Sequence, residues 1–313
     1  MLNKSLRYAV VDLGSNSIRM SIYDQENNKL NCILNQKEFI GVIEYVKNGI
    51  LSEKGIIRIL ETLNSFLNIA NIIGTDHFYC FATASLRNIN NTKEVIIRVK
   101  KETDLEINVI SGEEEARLDF LGAYGSLDFK DGLIIDMGGG STEFIQFENG
   151  VIRNLISLPF GSLYLFKKYV DEIIPNRKEI KLIKSHVQNQ LINIEWIPNS
   201  CDKVCLIGGT ARAIARLHKD LFSRNKEKLQ GYTFDSKDIK LLVDAINPSE
   251  KDGIKMLARI SPERIYTIIP GLIAFSEILK LSGCKTITIS KHGVREGYLG
   301  EYVLNNASDN IGG

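Results

Sequence analysis

Cysteine is sparse and without pattern. The five residues, Cys32, Cys80, Cys201, Cys205 and Cys284, are scattered and odd in number. They give no disulfide framework, and Cys201-x-x-x-Cys205 alone makes a poor zinc motif. The four histidines are dispersed too. Net charge is equally scarce: 39 basic against 38 acidic residues leave +1. That balance predicts neither nucleic acid nor a membrane surface as partner, so any anion site must be local. No apolar span of bilayer length is expected, and the N-terminus runs straight into a strand without a signal-peptide core. A reducing, cytoplasmic setting is the resulting expectation. What is present suits a globular chain: 313 residues, 44% hydrophobic and 25% charged, enough for two domains with cores.

One stretch organises the rest. Gly132-Leu-Ile-Ile-Asp136-Met-Gly-Gly-Gly-Ser141-Thr-Glu143 has an earlier partner in Val10-Val-Asp12-Leu-Gly14-Ser-Asn-Ser17, displaced by 124 positions. Asp12 falls on Asp136, Gly14 on Gly138 and Ser17 on Ser141. Each copy reads as a buried strand, a tight glycine-bearing turn and an alternating return strand. Small residues after a strand-ending carboxylate leave backbone N–H groups able to face an anion. Gly14, Ser15, Asn16 and Ser17 in one turn, and Gly138, Gly139, Gly140 and Ser141 in the other, are therefore candidate phosphate contacts.

Around these turns the chain reads as two similar halves. The first has strands at Arg7–Val11, Ser17–Tyr23 and Leu30–Asn35, with a turn at Asn27-Asn28. A helix follows from Ser52 to about Ile72, then a strand His77–Ala82, a helix Lys93–Glu102 and a strand Glu106–Ile110. The second has strands at Leu133–Asp136, Thr142–Phe147 and Val151–Ser157, and helices from Ser162 and Arg177. It continues with a strand Lys203–Ile207, a helix from Gly208, a helix from Asp235 to Ile246, and a helix ending at Ser282. A strand Thr286–Ser290 and a short helix Val294–Leu299 complete it. The predicted domains are 1–126 and 127–304, with a polar tail over 305–313. Duplicated α/β domains imply an interdomain cleft, a usual place for ligands.

Several side chains are candidates for chemistry. In Ser111-Gly-Glu113-Glu114-Glu115-Ala-Arg117, Ser111 with Glu114 reads as a capping box, and Glu113 with Arg117 as a solvated i,i+4 pair. Glu115 shares a face with Leu118 and Gly122 and has Asp119 one turn on. Burial and a like charge both raise a carboxylate pKa, which suits a general base. Asp12, Asp136 and Glu143 form a carboxylate set that tolerates phosphate only with a divalent cation, for which Mg²⁺ fits best. Arg87 follows a strand among small residues. Gly209 and Thr210 begin a helix whose N-terminus suits an anion. Arg212, Arg216, Lys219, Arg224, Lys226 and Lys228 outnumber Asp220 and Glu227, which reads as a solvated helix face rather than a polyanion track.

Together these segments resemble the exopolyphosphatase / guanosine pentaphosphate phosphohydrolase (Ppx/GppA) family, within the actin-like ATPase superfamily. The resemblance runs from Tyr8 to about Leu299. It rests on Val11-Asp-Leu-Gly-Ser-Asn-Ser17, Ala82-Thr-Ala-Ser-Leu-Arg87, Ile110-Ser-Gly-Glu-Glu-Glu-Ala-Arg-Leu118, Asp136-Met-Gly-Gly-Gly-Ser-Thr-Glu143, Gly208-Gly-Thr-Ala-Arg212 and Gly293-Val-Arg-Glu-Gly297. It implies two actin-like (ASKHA, ribonuclease H-like) domains in the short form of the family. It further implies Glu115 as the base that activates water, Arg87 and Asn91 beside the transferred phosphoryl group, and Mg²⁺ on Asp136 and Glu143, with Asp12 as a further ligand. Inorganic polyphosphate is the implied substrate, with guanosine pentaphosphate the alternative, ADP or ATP at Gly208–Arg212 a further ligand, and a homodimer the implied assembly. Two segments depart from the family pattern: Ser162-Leu163-Tyr164, and Gln36-Lys-Glu-Phe-Ile-Gly-Val42. A binding protein of the same fold, a kinase and a scaffold with a decayed site are the competing readings.

Overall fold

The computed structural model describes residues 6–26, 29–197, 201–222, 228–245 and 251–304. The Asn27-Asn28 turn, Arg224, Lys226 and Glu227 of the basic stretch, Ile246 and the 305–313 tail lie outside the described residues. The chain divides into two compact units, residues 1–111 and 112–313. The division falls at Ser111/Gly112 rather than at 126/127, because the helix carrying Glu115 packs with the second half.

In the first unit, β1 (Leu6–Leu13), β2 (Ser17–Glu26) and β3 (Lys29–Phe39) form an antiparallel meander. β4 (His77–Ala82) and β5 (Ile107–Val109) add parallel strands, giving the order β3-β2-β1-β4-β5. Parallel strands need crossover segments. Helix α1 (Glu53–Ile73) supplies one; the short α2 (Ala84–Arg87) and α3 (Thr92–Thr103) supply the other. By length and mean hydropathy (1.3) α1 would suffice to cross a membrane, contrary to the expectation of no such span. Its composition is two-sided, however. Ile56, Ile59, Leu60, Leu63 and Phe66 are buried in one core with Val11, Leu13 and Met20, while Glu53, Lys54, Arg58 and Glu61 are exposed. Gly74 ends the helix in the left-handed region (φ 75°), where glycine costs least.

The second unit opens with α4 (Gly112–Tyr124) and repeats the meander as β6 (Gly132–Met137), β7 (Thr142–Glu148) and β8 (Val151–Leu158). After α5 (Ser162–Tyr169) and α6 (Arg177–Leu191), β9 (Lys203–Ile207) pairs parallel with β6 and leads into α7 (Gly208–Phe222). Then come β10 (Tyr232–Asp235), α8 (Asp238–Ala245), α9 (Lys251–Ile260), α10 (Ile268–Ser282), β11 (Thr286–Ile289) and α11 (Val294–Tyr298). Sheet order is β8-β7-β6-β9-β11-β10. β10 and α9 have no counterpart in the expected elements. β10 is four residues on an antiparallel edge, and taking them into the sheet moves the start of α8 from Asp235 to Asp238.

The two meanders share their register. Asp12 stands opposite Arg19 across β1–β2, and Asp136 stands opposite Glu143 across β6–β7. The repeat thus sets an acid against a cation in the first unit and an acid against an acid in the second.

Helix α4 is held by close backbone approach. A Cβ added at Gly122 would run into the Gly293 carbonyl, and one at Gly297 into the Leu118 carbonyl. With no side chain to yield, Gly122→Ala must shift α4 against α11. We expect a loss of about 1–3 kcal/mol of stability, read as a lower thermal unfolding midpoint, whereas alanine at exposed Gly125, where no atom lies within 4 Å, should leave it unchanged.

Candidate active site

Backbone hydrogen bonds aim the turn after β6. Gly138 N–H donates to the Ser141 carbonyl at 3.0 Å, closing the turn. The Gly138 carbonyl accepts from Ser162 N–H at 3.0 Å, and the Gly139 carbonyl from Leu163 and Tyr164 N–H at 3.1 and 2.9 Å. In a trans peptide the N–H points opposite to the C=O. Tying these two carbonyls to the first turn of α5 therefore directs the Gly139 and Gly140 N–H groups away from α5, as an amide pair suited to an anion. Glycine at 161 permits the approach, since a Cβ there would lie 2.6 Å from the Gly138 oxygen and the Gly139 carbonyl carbon. The Ser162-Leu163-Tyr164 segment holds the turn through three backbone N–H groups, joined by the Ser162 hydroxyl, which donates to the Gly138 carbonyl at 3.2 Å.

The first unit builds the same device from different sequence. Gly14 N–H donates to Ser17 O at 3.2 Å, while Gly41 and Ile43 N–H bind the Asn16 and Ser15 carbonyls at 3.0 and 3.3 Å. The poorly matched 36–42 segment thus ends in the support of its turn, with Gly41 in the left-handed region (φ 61°).

In the second unit, Glu115 and Asp119 stand within electrostatic reach of Asp136 and Glu143, the two carboxylates that flank the tethered turn. Glu115, near the start of α4, is 8% exposed, and Asp119, one turn on, is 0% exposed. Glu143 is buried and accepts from the Ser157 hydroxyl at 2.8 Å. Burial first, then the charges of Glu115 and Asp136, push Glu143 well above the usual carboxylate range, against the hydroxyls of Ser157 and Ser141. Asp119 is pushed up in the same way, by burial, then by Asp136, Glu143 and Glu115; the Val294 amide opposes this. That amide does not meet either oxygen in hydrogen-bond geometry, and both Asp119 oxygens are buried with no hydrogen-bond partner.

The other two glutamates of α4 are occupied differently from expectation. Arg117 pairs with Glu114 (2.9 Å) and Glu301 (3.0 Å) instead of Glu113, and Tyr302 donates to Glu114 at 2.6 Å. Glu115 alone of the three is buried.

Gly209 and Thr210, expected as phosphate or nucleotide contacts, open α7. The Arg264 guanidinium packs against Gly209 so closely that a Cβ there would collide with it, and Asp136 Oδ1 packs against Gly208 likewise. The Thr210 hydroxyl is buried and lies 3.1 Å from that of Ser162. A cationic set stands here as well. Arg212 is partly exposed by area yet surrounded by protein, and burial, then Arg264 and Arg295, lower its pKa to about 10 while Asp136 opposes them. Arg264 was not legible in the sequence; it belongs to no motif there.

In the first unit Arg87 is half-buried and donates to the Ile110 carbonyl at 3.3 Å. Asn91, expected beside it as a phosphate contact, is committed elsewhere. Its amide and carbonyl both bond Leu51 backbone, at 3.0 and 2.9 Å.

Among the described residues no three His, Cys, Asp or Glu side chains converge to cage a metal ion. Mg²⁺ needs less: one or two carboxylates with waters and substrate oxygens. Asp136 and Glu143, directly paired across two strands, fit that demand. The unpartnered Asp119 oxygens agree with it, since buried acceptors require a donor, a water or a cation. Asp12, opposite Arg19, already has a positive neighbour on its own sheet.

Raised carboxylates tie stability to pH with a definite sign. The native state holds protons that the unfolded chain has released, so stability falls as pH rises from the unfolded carboxylate range toward the raised native values. We expect the thermal midpoint to rise on acidification from about pH 7.5 to about pH 5.5, at up to about 1.4 kcal/mol per pH unit per proton. Asp119→Asn with Glu143→Gln should flatten the slope.

Residues 21–306 match the Ppx/GppA phosphatase family. A solved exopolyphosphatase from Cytophaga hutchinsonii is 25% identical, covers 96% of this chain and 98% of its own, and superposes with a TM-score of 0.86. The Aquifex aeolicus Ppx/GppA family member is 27% identical, with 97% and 99% covered and a TM-score of 0.79. A bifunctional 3-dehydroquinate synthase/phosphatase of Fusobacterium nucleatum is 31% identical across 97% of this chain; the chain spans 47% of that longer relative. Each unit carries the actin-like arrangement of a three-stranded meander extended by parallel strands. With the family match covering nearly the whole chain, this protein is a member of the Ppx/GppA phosphatase family.

Proposed function

We propose that the protein hydrolyses phosphoanhydride bonds, releasing the terminal phosphate of inorganic polyphosphate, with Glu115 as general base. The observation that carries this reading is the burial of Glu115 within electrostatic reach of Glu143, in the unit whose Gly139 and Gly140 amides face away from α5. The Cytophaga relative, an exopolyphosphatase, supports the choice of substrate.

In this reading Glu115 accepts a proton from water as the water oxygen bonds to the terminal phosphorus and the bridging P–O bond breaks. The chain shortened by one phosphate leaves with the bridging oxygen. Negative charge on the phosphoryl oxygens is met by the Gly139 and Gly140 N–H groups, which are already oriented and need no reorganisation. Glu115 is buried, so the base stands largely out of bulk solvent. Within the first unit, the twin turn at Gly14–Ser17 is proposed as a further amide cradle and Arg87 as a cation for phosphate charge. Asp136 and Glu143 would hold a divalent cation, which when bound supplies neutralisation of phosphate charge.

The reading is tested by measuring phosphate release from long polyphosphate, guanosine pentaphosphate and ATP. Glu115→Gln should lower turnover by about 10²–10⁴-fold while polyphosphate binding persists; turnover that survives would remove Glu115 as base. Chelation should abolish release, and restored Mg²⁺ should raise the thermal midpoint of wild type but not of Asp136→Asn. Release confined to guanosine pentaphosphate would contradict the substrate assignment and leave the base intact.

A further inference from the structure

The second unit also carries a pair of thiols before the N-terminal ends of two parallel strands, at the opposite end of the sheet from the tethered turn. Cys201 lies two residues before Lys203, and Cys284 two residues before Thr286; Lys203 and Thr286 are register partners at the start of parallel β9 and β11. The two cysteines therefore prolong that pairing. Lys285 and Thr286 N–H both donate to the Asp202 carbonyl, at 2.8 and 3.0 Å, which fixes the approach. Neighbouring strands lie about 4.8 Å apart, and disulfides span Cα separations of about 4.4–6.8 Å, so backbone spacing suits a bridge. The Sγ atoms are already 3.3 Å apart, and a bond of about 2.05 Å needs little movement.

Access differs between the two. Cys284 is 3% exposed. Cys201 is half-buried and lines a surface cavity with Phe129, Lys130, Asp131, Asp202 and Lys203. An external reagent thus meets Cys201 first.

We propose that Cys201 and Cys284 are a reversible disulfide site, oxidised by exchange with a low-molecular-weight disulfide. The Cys201 thiolate attacks one sulfur of glutathione disulfide, forming a mixed disulfide and releasing one glutathione thiolate, which takes up a proton. The Cys284 thiolate then attacks Cys201 Sγ, the protein S–S bond forms, and the second glutathione leaves and is protonated. Two protein thiols are oxidised and one glutathione disulfide is reduced to two thiols, so electrons balance.

In the reduced pair the Cys201 thiol, then the Ser282 hydroxyl, draw Cys284 below the usual thiol range, against burial and the Asp202 charge. Once Cys201 is in the mixed disulfide, the Ser282 hydroxyl and the short Sγ–Sγ approach remain to serve the second step. The remaining cysteines act as internal controls. Cys32 lies on β3 of the first unit and is exposed; Cys80 and Cys205 are buried, and burial pushes Cys80 up to about 12 and Cys205 higher still.

The full chain is incubated with glutathione disulfide, unreacted thiols are alkylated, and the products are mapped by mass spectrometry. The expected result is a Cys201–Cys284 cross-linked peptide, reversed by dithiothreitol, while Cys32 carries a glutathione adduct and Cys80 and Cys205 remain unmodified. Cys201→Ser, at a half-buried position that tolerates the change, should leave Cys284 without an adduct and abolish the cross-link. Closure of the long loop should raise the thermal midpoint of the oxidised protein by roughly 5–15 °C, a rise absent from Cys201→Ser. Glutathione accumulating on Cys201 without the cross-link, or no reaction at either residue, would overturn the proposal.

Discussion

The second unit depends on carbonyl oxygens being spoken for. Two peptide carbonyls in the glycine turn after β6 are held by the first amides of α5. Because a peptide's two polar ends point in opposite directions, fixing the oxygens fixes the hydrogens. Amides aimed this way need no charged side chain, and the Ser162 hydroxyl adds one side-chain bond to the Gly138 carbonyl. This tether explains how Ser162, Leu163 and Tyr164 can differ from the family pattern while the turn keeps its shape. It also explains the demand at Gly161, where any side chain would strike the turn.

Against that neutral cradle the unit sets a cluster of negative charge that burial makes expensive. Glu143 and Asp119 are both driven toward their protonated forms by burial and by one another's neighbours. A fold would not gain stability from such an arrangement, since buried like charges oppose it. Strained electrostatics of this kind belong to sites that bind a cation or move a proton. The duplicated first unit makes the contrast plain: with the same register it places Arg19 where the second unit places Glu143. The two halves share a frame and differ in the sign of one side chain.

Much of this was legible in the sequence, for physical reasons. Buried strands ending in an aspartate and a glycine turn announce themselves by composition, and the repeat at a constant offset ties the halves together. Glu115 could be singled out because its helical spacing put it on the packed face, away from Glu113 and Glu114. Other features depend on contacts that cross long stretches of chain. Arg264 approaches Gly209 from a segment more than fifty residues downstream, a contact that no local pattern announces. Asn91 looked like a ligand group until Leu51 claimed both ends of its amide. The edge strand Tyr232–Asp235 is too short to show a period of its own. Asp119 was visible as a like charge near Glu115, but its unpartnered burial is a fact of packing.

The central claim is that the Gly139 and Gly140 amides receive the anion. Backbone amide NMR during titration with pyrophosphate addresses it directly. The account predicts large shift changes at Gly139 and Gly140, with little at Gly208 and Gly209 under Asp136 and Arg264. Shifts concentrated at Gly208 and Gly209, with Gly139 and Gly140 unmoved, would contradict it.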